Sequence, residues 1–333
     1  MAPLAQPHDS LVRFTWSDLT TARKHFQEVL PAALVAQLDW STLKQCPGTF
    51  IDATLQAFHS DLLFEVRDRQ DSPLLLYLLF EHQSSVDAWM AFRILVYMVR
   101  IWEAHLKIHP KATKLPPVLP LVLYQGADRW TAPLKFEDLI VVTPELREIL
   151  GPHFPRFEYL LEDLSTVADA DLRGTALGRM ALLLLKHASD GDIWQRFASW
   201  LDTVEEILSD QTNGLRAVEA LFRYIVSITS IAPPSEVLEA VRARFGPQTE
   251  AKMMSWAEQL REEGTREGES KALRRSIVQA LTLRFPKADW SDIVGLLASI
   301  DVSELEQVHA DTQTASSARQ FRVLWEGRRR TEA

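Results

Sequence analysis

Residues 74–85 read LLLYLLFEHQSS. Seven apolar residues in succession, Leu74 to Phe80, have the length and composition of a β-strand buried on both faces. The run ends in an acid, an imidazole and an amide: Glu81, His82 and Gln83. An ionised carboxylate at the rim of a core costs free energy unless something pairs with it. What stands opposite Glu81 therefore matters for the whole chain.

Just upstream, DLLFEVR (61–67) alternates, with Leu62, Phe64 and Val66 on one face and Asp61, Leu63, Glu65 and Arg67 on the other. DRQDSP (68–73) supplies turn residues, so the two strands read as a hairpin. If Asp68 pairs with Leu74, Asp61 stands directly opposite Glu81. Two carboxylates facing each other across a ladder repel. Either one keeps its proton or a cation lies between them. A divalent ion satisfies both, and oxygen donors favour Mg²⁺ or Mn²⁺; simple solvation at a sheet edge is the plainer alternative. Gln83 shares the face of Glu81, where its amide can orient a water or meet a phosphate oxygen. His82 points to the other face, as a packed histidine would, while its backbone carbonyl can still reach a metal.

After SSVD the spacing predicts a long helix over 88–107, capped by Ser85 or Asp87. LPPVLPLVLYQG (115–126) reads as another buried strand ended by Gly126, and FEYLLEDL (157–164) as a further one. Before the hairpin, a helix is expected from Ser17 to Leu38 and a short strand near Thr49–Ile51. Helices are expected over 172–188, 194–208, 214–229 and 234–244. From about Lys252 a charge-dense stretch leads into a helical tail over 290–325. The order predicts an α/β core of mixed sheet and flanking helices, followed by an all-helical extension. The expected divisions are 1–165, 166–250 and 251–333.

The chain has 333 residues, one cysteine (Cys46) and a formal net charge of −9. A single cysteine excludes an internal disulfide framework and a multi-cysteine zinc site, and the start has no secretory signal pattern, so a cytoplasmic protein is expected. Net acidity excludes a uniform coat for nucleic acid. The charge is uneven, however: from Val86 to Lys135, Arg93, Arg100, Lys107, Lys111, Lys114, Arg129 and Lys135 outweigh Asp87, Glu103 and Asp128. Arg93, Arg100 and Lys107 follow one another at intervals of seven, nearly on one helical face. A basic stripe beside an acidic centre, or a merely solvated face, fits that pattern.

Several stretches resemble the bacterial recombination-promoting nuclease (Rpn) and "putative transposase" family of the PD-(D/E)XK nuclease superfamily. They are HDSLVRF (8–14), VLPAALVAQLDWSTLK (29–44), TFIDATLQAFHSDLLFEV (49–66), LLFEHQSSVDAWMAFRILVYM (78–98) and LPLVLYQG (119–126). The charged AEQLREEGTREGESKAL (257–273) is similar as well. The resemblance implies a restriction-endonuclease-like core and Mg²⁺- or Mn²⁺-dependent cleavage of DNA, with Asp61, Glu81 and Gln83 catalytic. Asp61, Glu81 and the His82 carbonyl would be the metal ligands. Gln83 stands where the superfamily has lysine. Arg93 and Tyr97 are candidates to replace that ammonium or, with Arg100 and Lys107, to bind phosphate. Asp9 and Asp52 are candidate outer carboxylates, and Arg328–Arg330 a second basic site. The expected partners are DNA and a second copy meeting through the C-terminal helices. Two other readings remain: a catalytically silent DNA-binding or protein-interaction module on the same fold, and a three-acid transposase whose third acid the chain does not reveal.

Overall fold

The computed structural model describes residues 7–46, 62–81 and 86–331, with 77–81 and 329–331 described by backbone alone. Its centre is a five-stranded sheet in the order β1 (Leu38–Gln45), β2 (Leu62–Asp68), β3 (Pro73–Glu81), β4 (Val118–Tyr124) and β5 (Leu160–Asp163). The first two pairings are antiparallel and the last two parallel. A parallel neighbour needs a crossover, and α4 (Met90–Ile108) provides it between β3 and β4.

The β2–β3 hairpin turns where the sequence said it would. Asp68 Oδ1 accepts the backbone N–H groups of Gln70 and Ser72, both at 2.8 Å. Asp71 takes a left-handed conformation, φ 67°, which aspartate tolerates better than most residues. The register is shifted by two residues from the expected one, in which Asp68 met Leu74 and Asp61 stood directly opposite Glu81. Leu62 pairs with Leu78 and Arg67 with Pro73, so position 81 lies beyond the paired residues of β2 and that direct opposition is not the register observed. A shift of two keeps every residue on its predicted face while changing its partner.

The two faces of the sheet are covered differently. Leu63, Leu75, Val118 and Val122 pack with Ile94, Tyr97 and Ile101 of α4. On the other side lie α1 (Pro7–Ser17) and α2 (Leu19–Val29), where Phe26 meets Phe64 edge-on at 5.3 Å. Buried His25 of α2 reaches Glu162 of β5 at 3.2 Å. Behind these helices sits α6 (Ala176–Lys186), bounded by α8 (Leu201–Leu208) and α9 (Gly214–Thr229).

The expected helix over Ser17–Leu38 is replaced by α1, α2, a single turn α3 (Ala32–Val35) and then β1. Asp18 ends one helix and caps the next, accepting from Thr21 N–H at 2.7 Å, and Pro31 follows the end of α2. The strand β1 escaped the sequence reading because its alternation is broken by a bulge between Asp39 and Lys44. The strand expected near Thr49–Ile51 lies outside the described residues.

The chain divides into two compact units after Met253. The first holds the sheet, the helices through α9, with α5 (Pro144–Leu150) and α7 (Ile193–Ser199) among them, and α10 (Ser235–Phe245). The second has its own core, in which Ile277, Leu281, Trp290, Ile293, Leu305 and Phe321 are buried together. It is built from the greater part of the long helix α11 (Pro247–Arg284), α12 (Ser291–Leu296), α13 (Val302–Thr314) and α14 (Ala318–Thr331). The α/β core and the helical extension expected from the sequence are thus both present. Among the described residues no helix is long and apolar enough to cross a membrane.

Candidate functional site

Strands β3, β4 and β5 run parallel, so their carboxyl ends reach the same edge. There Glu81 pairs in register with Tyr124, and Tyr124 with Asp163. By strand alternation, position 81 falls on the face of Leu75, which is the face α4 covers. Tyr124 is buried and meets Trp130 edge-on at 4.9 Å. The Trp130 backbone N–H donates to Asp163 Oδ2 at 3.0 Å. The other Asp163 oxygen accepts from the Ser165 N–H and hydroxyl at 3.0 and 2.7 Å. Asp163 therefore fixes the loops behind the edge.

Helix α4 carries Arg93 and Tyr97 in its first turns after β3. It runs back toward the start of β4, where Trp102 Nε1 donates to the Pro116 carbonyl at 2.8 Å, so Arg100 and Lys107 lie progressively farther from this edge. Arg93 Nη1 meets Asp87 Oδ2 at 2.9 Å, and both side chains are only about one-fifth exposed (21% and 18%). The same guanidinium donates to Tyr97 Oη at 3.3–3.4 Å and lies 5.9 Å from its ring centroid. Asp87 also accepts from the Trp89 N–H at 2.8 Å, at the start of the helix. The cation is thus aimed by an acid and a phenol. Arg100 is more open and meets Glu103 at 2.9 Å, and Lys107 is exposed.

The amino-terminal helix arrives at the same edge. Gln125, which follows β4, places its amide nitrogen 3.3 Å from His8 Nδ1, and the Tyr224 hydroxyl of α9 lies 2.8 Å from that same nitrogen. Burial pushes the Tyr224 phenol well above its ordinary range, so it remains a neutral hydrogen-bonding group. Asp9, in the first turn of α1, comes with His8.

Of the residues singled out from sequence, Arg93 and Tyr97 are brought together and share α4 with Arg100 and Lys107. Asp52, Asp61, His82 and Gln83 lie outside the described residues, and Glu81 is described by its backbone. Among the described residues no group of three or more histidine, cysteine, aspartate or glutamate side chains could hold a metal. Arg328 is occupied in the second unit by Asp311, at 2.8 and 3.0 Å. Cys46 is buried, and burial pushes its thiol up to about 12, which leaves no reactive thiolate. Sequence reasoning missed Asp87 as the partner of Arg93, although it had the right spacing from the helix start. It also missed the His8–Gln125–Tyr224 group, whose members are 117 and 216 positions apart from His8. No local pattern carries a signal over such distances.

The family model described as "Putative transposase, YhgA-like" matches residues 6–214. Recombination-promoting nuclease RpnA of Escherichia coli K12 is 30% identical over 293 residues, covering 87% of this chain and 94% of that protein. RpnD of Escherichia coli O157:H7, named likewise, is 27% identical over 78% of this chain and 96% of its own. The inactive recombination-promoting nuclease-like protein RpnE of Escherichia coli K12 is 26% identical, over 83% of this chain and 88% of its own. No solved structure matches the chain.

Proposed function

The chain belongs to the family described as "Putative transposase, YhgA-like", and from that premise we propose that it is a divalent-metal-dependent endodeoxyribonuclease. It would hydrolyse phosphodiester bonds with low sequence specificity, in recombination or in the movement of mobile elements. The observation that carries this reading is the placement of position 81, at the carboxyl end of a core strand and on the face bearing the Asp87–Arg93–Tyr97 group. The names of RpnA and RpnD support it.

Asp61 and Glu81, with the His82 carbonyl, would hold the ion. Their donors are hard oxygens, which suit Mg²⁺ or Mn²⁺. The observed register keeps odd-numbered positions of β2 and β3 on one face and leaves position 81 beyond the paired residues of β2. An ion held by both carboxylates would therefore lie diagonally across the hairpin and not between directly opposed residues. When bound, such an ion lowers the pKa of water and polarises the phosphoryl oxygen. Gln83 can hold a water by hydrogen bonding, but an amide takes no proton at neutral pH, so the proton must go to a carboxylate or a substrate phosphate oxygen. Arg93, oriented by Asp87 and Tyr97, supplies fixed positive charge in place of the missing lysine. Arg100 and Lys107 extend that charge along the DNA backbone. Contacts of this kind position a duplex without reading its bases.

Nicking of supercoiled plasmid with Mg²⁺ or Mn²⁺ tests the proposal, comparing the natural chain with Glu81→Ala. The variant should lose about two orders of magnitude in rate or more, the scale of removing a group that acts in the transition state; undiminished nicking refutes the assignment. A second reading, a silent DNA-binding module, is favoured by Gln83 at the lysine position and by the similarity to the inactive RpnE. It predicts DNA retention without nicking, and a Gln83→Lys variant that stays silent. A cleaving enzyme should instead keep or gain rate with that change.

A further inference from the structure

We propose that the outward face of α4 is a two-fold interface joining two copies of this chain. A helix on the outside of a globular unit normally turns polar residues to water. Opposite the buried Ile94, Met98 and Ile101, α4 presents Trp89, Phe92, Val96, Val99 and Leu106, which range in exposure from 38% at Val96 to 63% at Trp89. With Glu103 these positions follow alternating intervals of three and four, the spacing of a seam between two helices. Scattered exposed apolar residues need no explanation, but a contiguous stripe along one helix does.

The pattern of the stripe says what covers it. Placed antiparallel about a two-fold axis between Val96 and Val99, each position meets a suitable one in the other copy. Val96 packs on Val99, Trp89 on Leu106, and Phe92 on the aliphatic part of Glu103. An isologous contact requires this self-complementarity. The charges agree with it. Glu103 comes beside Arg93 of the other copy, and Lys107 comes over the start of the other helix, where Asp87 is negative. Arg93, Arg100 and Lys107 line one rim, with Asp87 and Glu103 among them to offset their repulsion. A phosphate backbone offers nothing to the five apolar side chains. The inference does not depend on the cleavage chemistry.

Sedimentation of the full chain across the micromolar range should show a reversible monomer–dimer equilibrium. Val96→Glu should weaken it by about tenfold or more, since it desolvates a charge at the centre, while leaving the melting curve of the dilute protein in place. Phe92→Glu provides the same test should Val96→Glu fail to fold. Register is read with cysteines. A Trp89→Cys chain mixed with a Leu106→Cys chain should form a crosslink on mild oxidation that neither forms alone. In an antiparallel pair the two copies of residue 89 are about 25 Å apart by helical rise, far beyond disulfide reach. The natural chain, with its buried Cys46, is the control. A chain monomeric at every concentration overturns the proposal and leaves the face to a different protein or to DNA. So does a dimer unmoved by both glutamate variants, and so does crosslinking of either cysteine variant by itself.

Discussion

In α6, Met180, Ala181, Leu182, Leu184 and Leu185 are all buried, so that every side of the helix meets protein. In α4, Ile94, Tyr97 and Ile101 are buried while Phe92, Val96 and Val99 on the far side are exposed. Both helices carry apolar residues on opposite sides, and α6 is wrapped by α1, α2, α8 and α9. Among the described residues, α4 has the sheet on one side and the 3-10 turn Phe136–Leu139 at its margin. The contrast teaches that an apolar helix states a demand for cover without saying what meets it. For α6 the same chain meets it; for α4 a second copy is the inferred cover.

The largest expected effect separates the two helices most sharply. Leu184→Ala, at a fully buried site, should cost about 2–5 kcal/mol in urea unfolding, from lost transfer energy and the cavity left behind. Phe92→Ala in dilute protein should stay within about 0.5 kcal/mol, as exposed substitutions do. Equal losses at both sites would break the comparison.

A smaller effect sharpens it within α4. Arg93→Ala strands Asp87 in a site only 18% exposed, so a loss of about 1–2 kcal/mol is expected, between the values for exposed and buried pairs. Arg100→Ala, which opens an exposed pair with Glu103, should cost less than about 0.5 kcal/mol. If the two arginines cost the same in denaturant titrations, Arg93 is not held as described.

The ends of the two helices differ in their response to acid. At the end of α6, Asp169 meets Lys186 at 2.6 Å and His187 at 2.9 Å. Burial opposes its ionisation, but hydrogen bonds from Lys186 and His187 outweigh that and hold the carboxyl below its ordinary 3.8. Its contribution is therefore complete above 3.8 and is lost as the pH falls through the lower folded value. The group is more than one-third exposed, so solvent screening limits the gain to less than about 1 kcal/mol. Asp169→Asn should flatten the acid limb of the stability curve by that amount.

The smallest effect belongs to the end of α4, where the His105 and His109 rings lie 4.6 Å apart. Burial, and then the neighbouring His109, lower the His105 value from 6.5. Stability from neutral His105 is full above 6.5 and declines as the pH falls through the folded value. Melting curves at neutral and mildly acidic pH should show a loss of a few tenths of a kcal/mol, absent in His105→Gln.

Much of the architecture was legible because the signals are local. The helix expected over 214–229 has those bounds in the structure, and Leu74–Phe80 lies within β3. Where a local signal was ambiguous, reading failed: Asp18 and Pro31 divide what looked like one helix, and a bulge hides β1. At the candidate site, Glu81 at the end of β3 and the neighbours Arg93 and Tyr97 were visible, since residues four apart on a helix share a face. Asp87 as the ion partner of Arg93, and His8 beside Gln125 and Tyr224, were not.

By itself the sequence determined which residues are apolar, their period, and therefore which segments become strands or helices and which face each turns inward. It also determined the hairpin and the placement of cations at intervals of seven. Only the tertiary structure decided the register of that hairpin, because a slip of two preserves the same alternation of faces. It decided as well that position 81 stands in line with Tyr124 and Asp163, on the side of α4, and that His8 arrives at the same edge. Those are long-range contacts, settled by how whole elements pack together, and no window of neighbouring residues contains them.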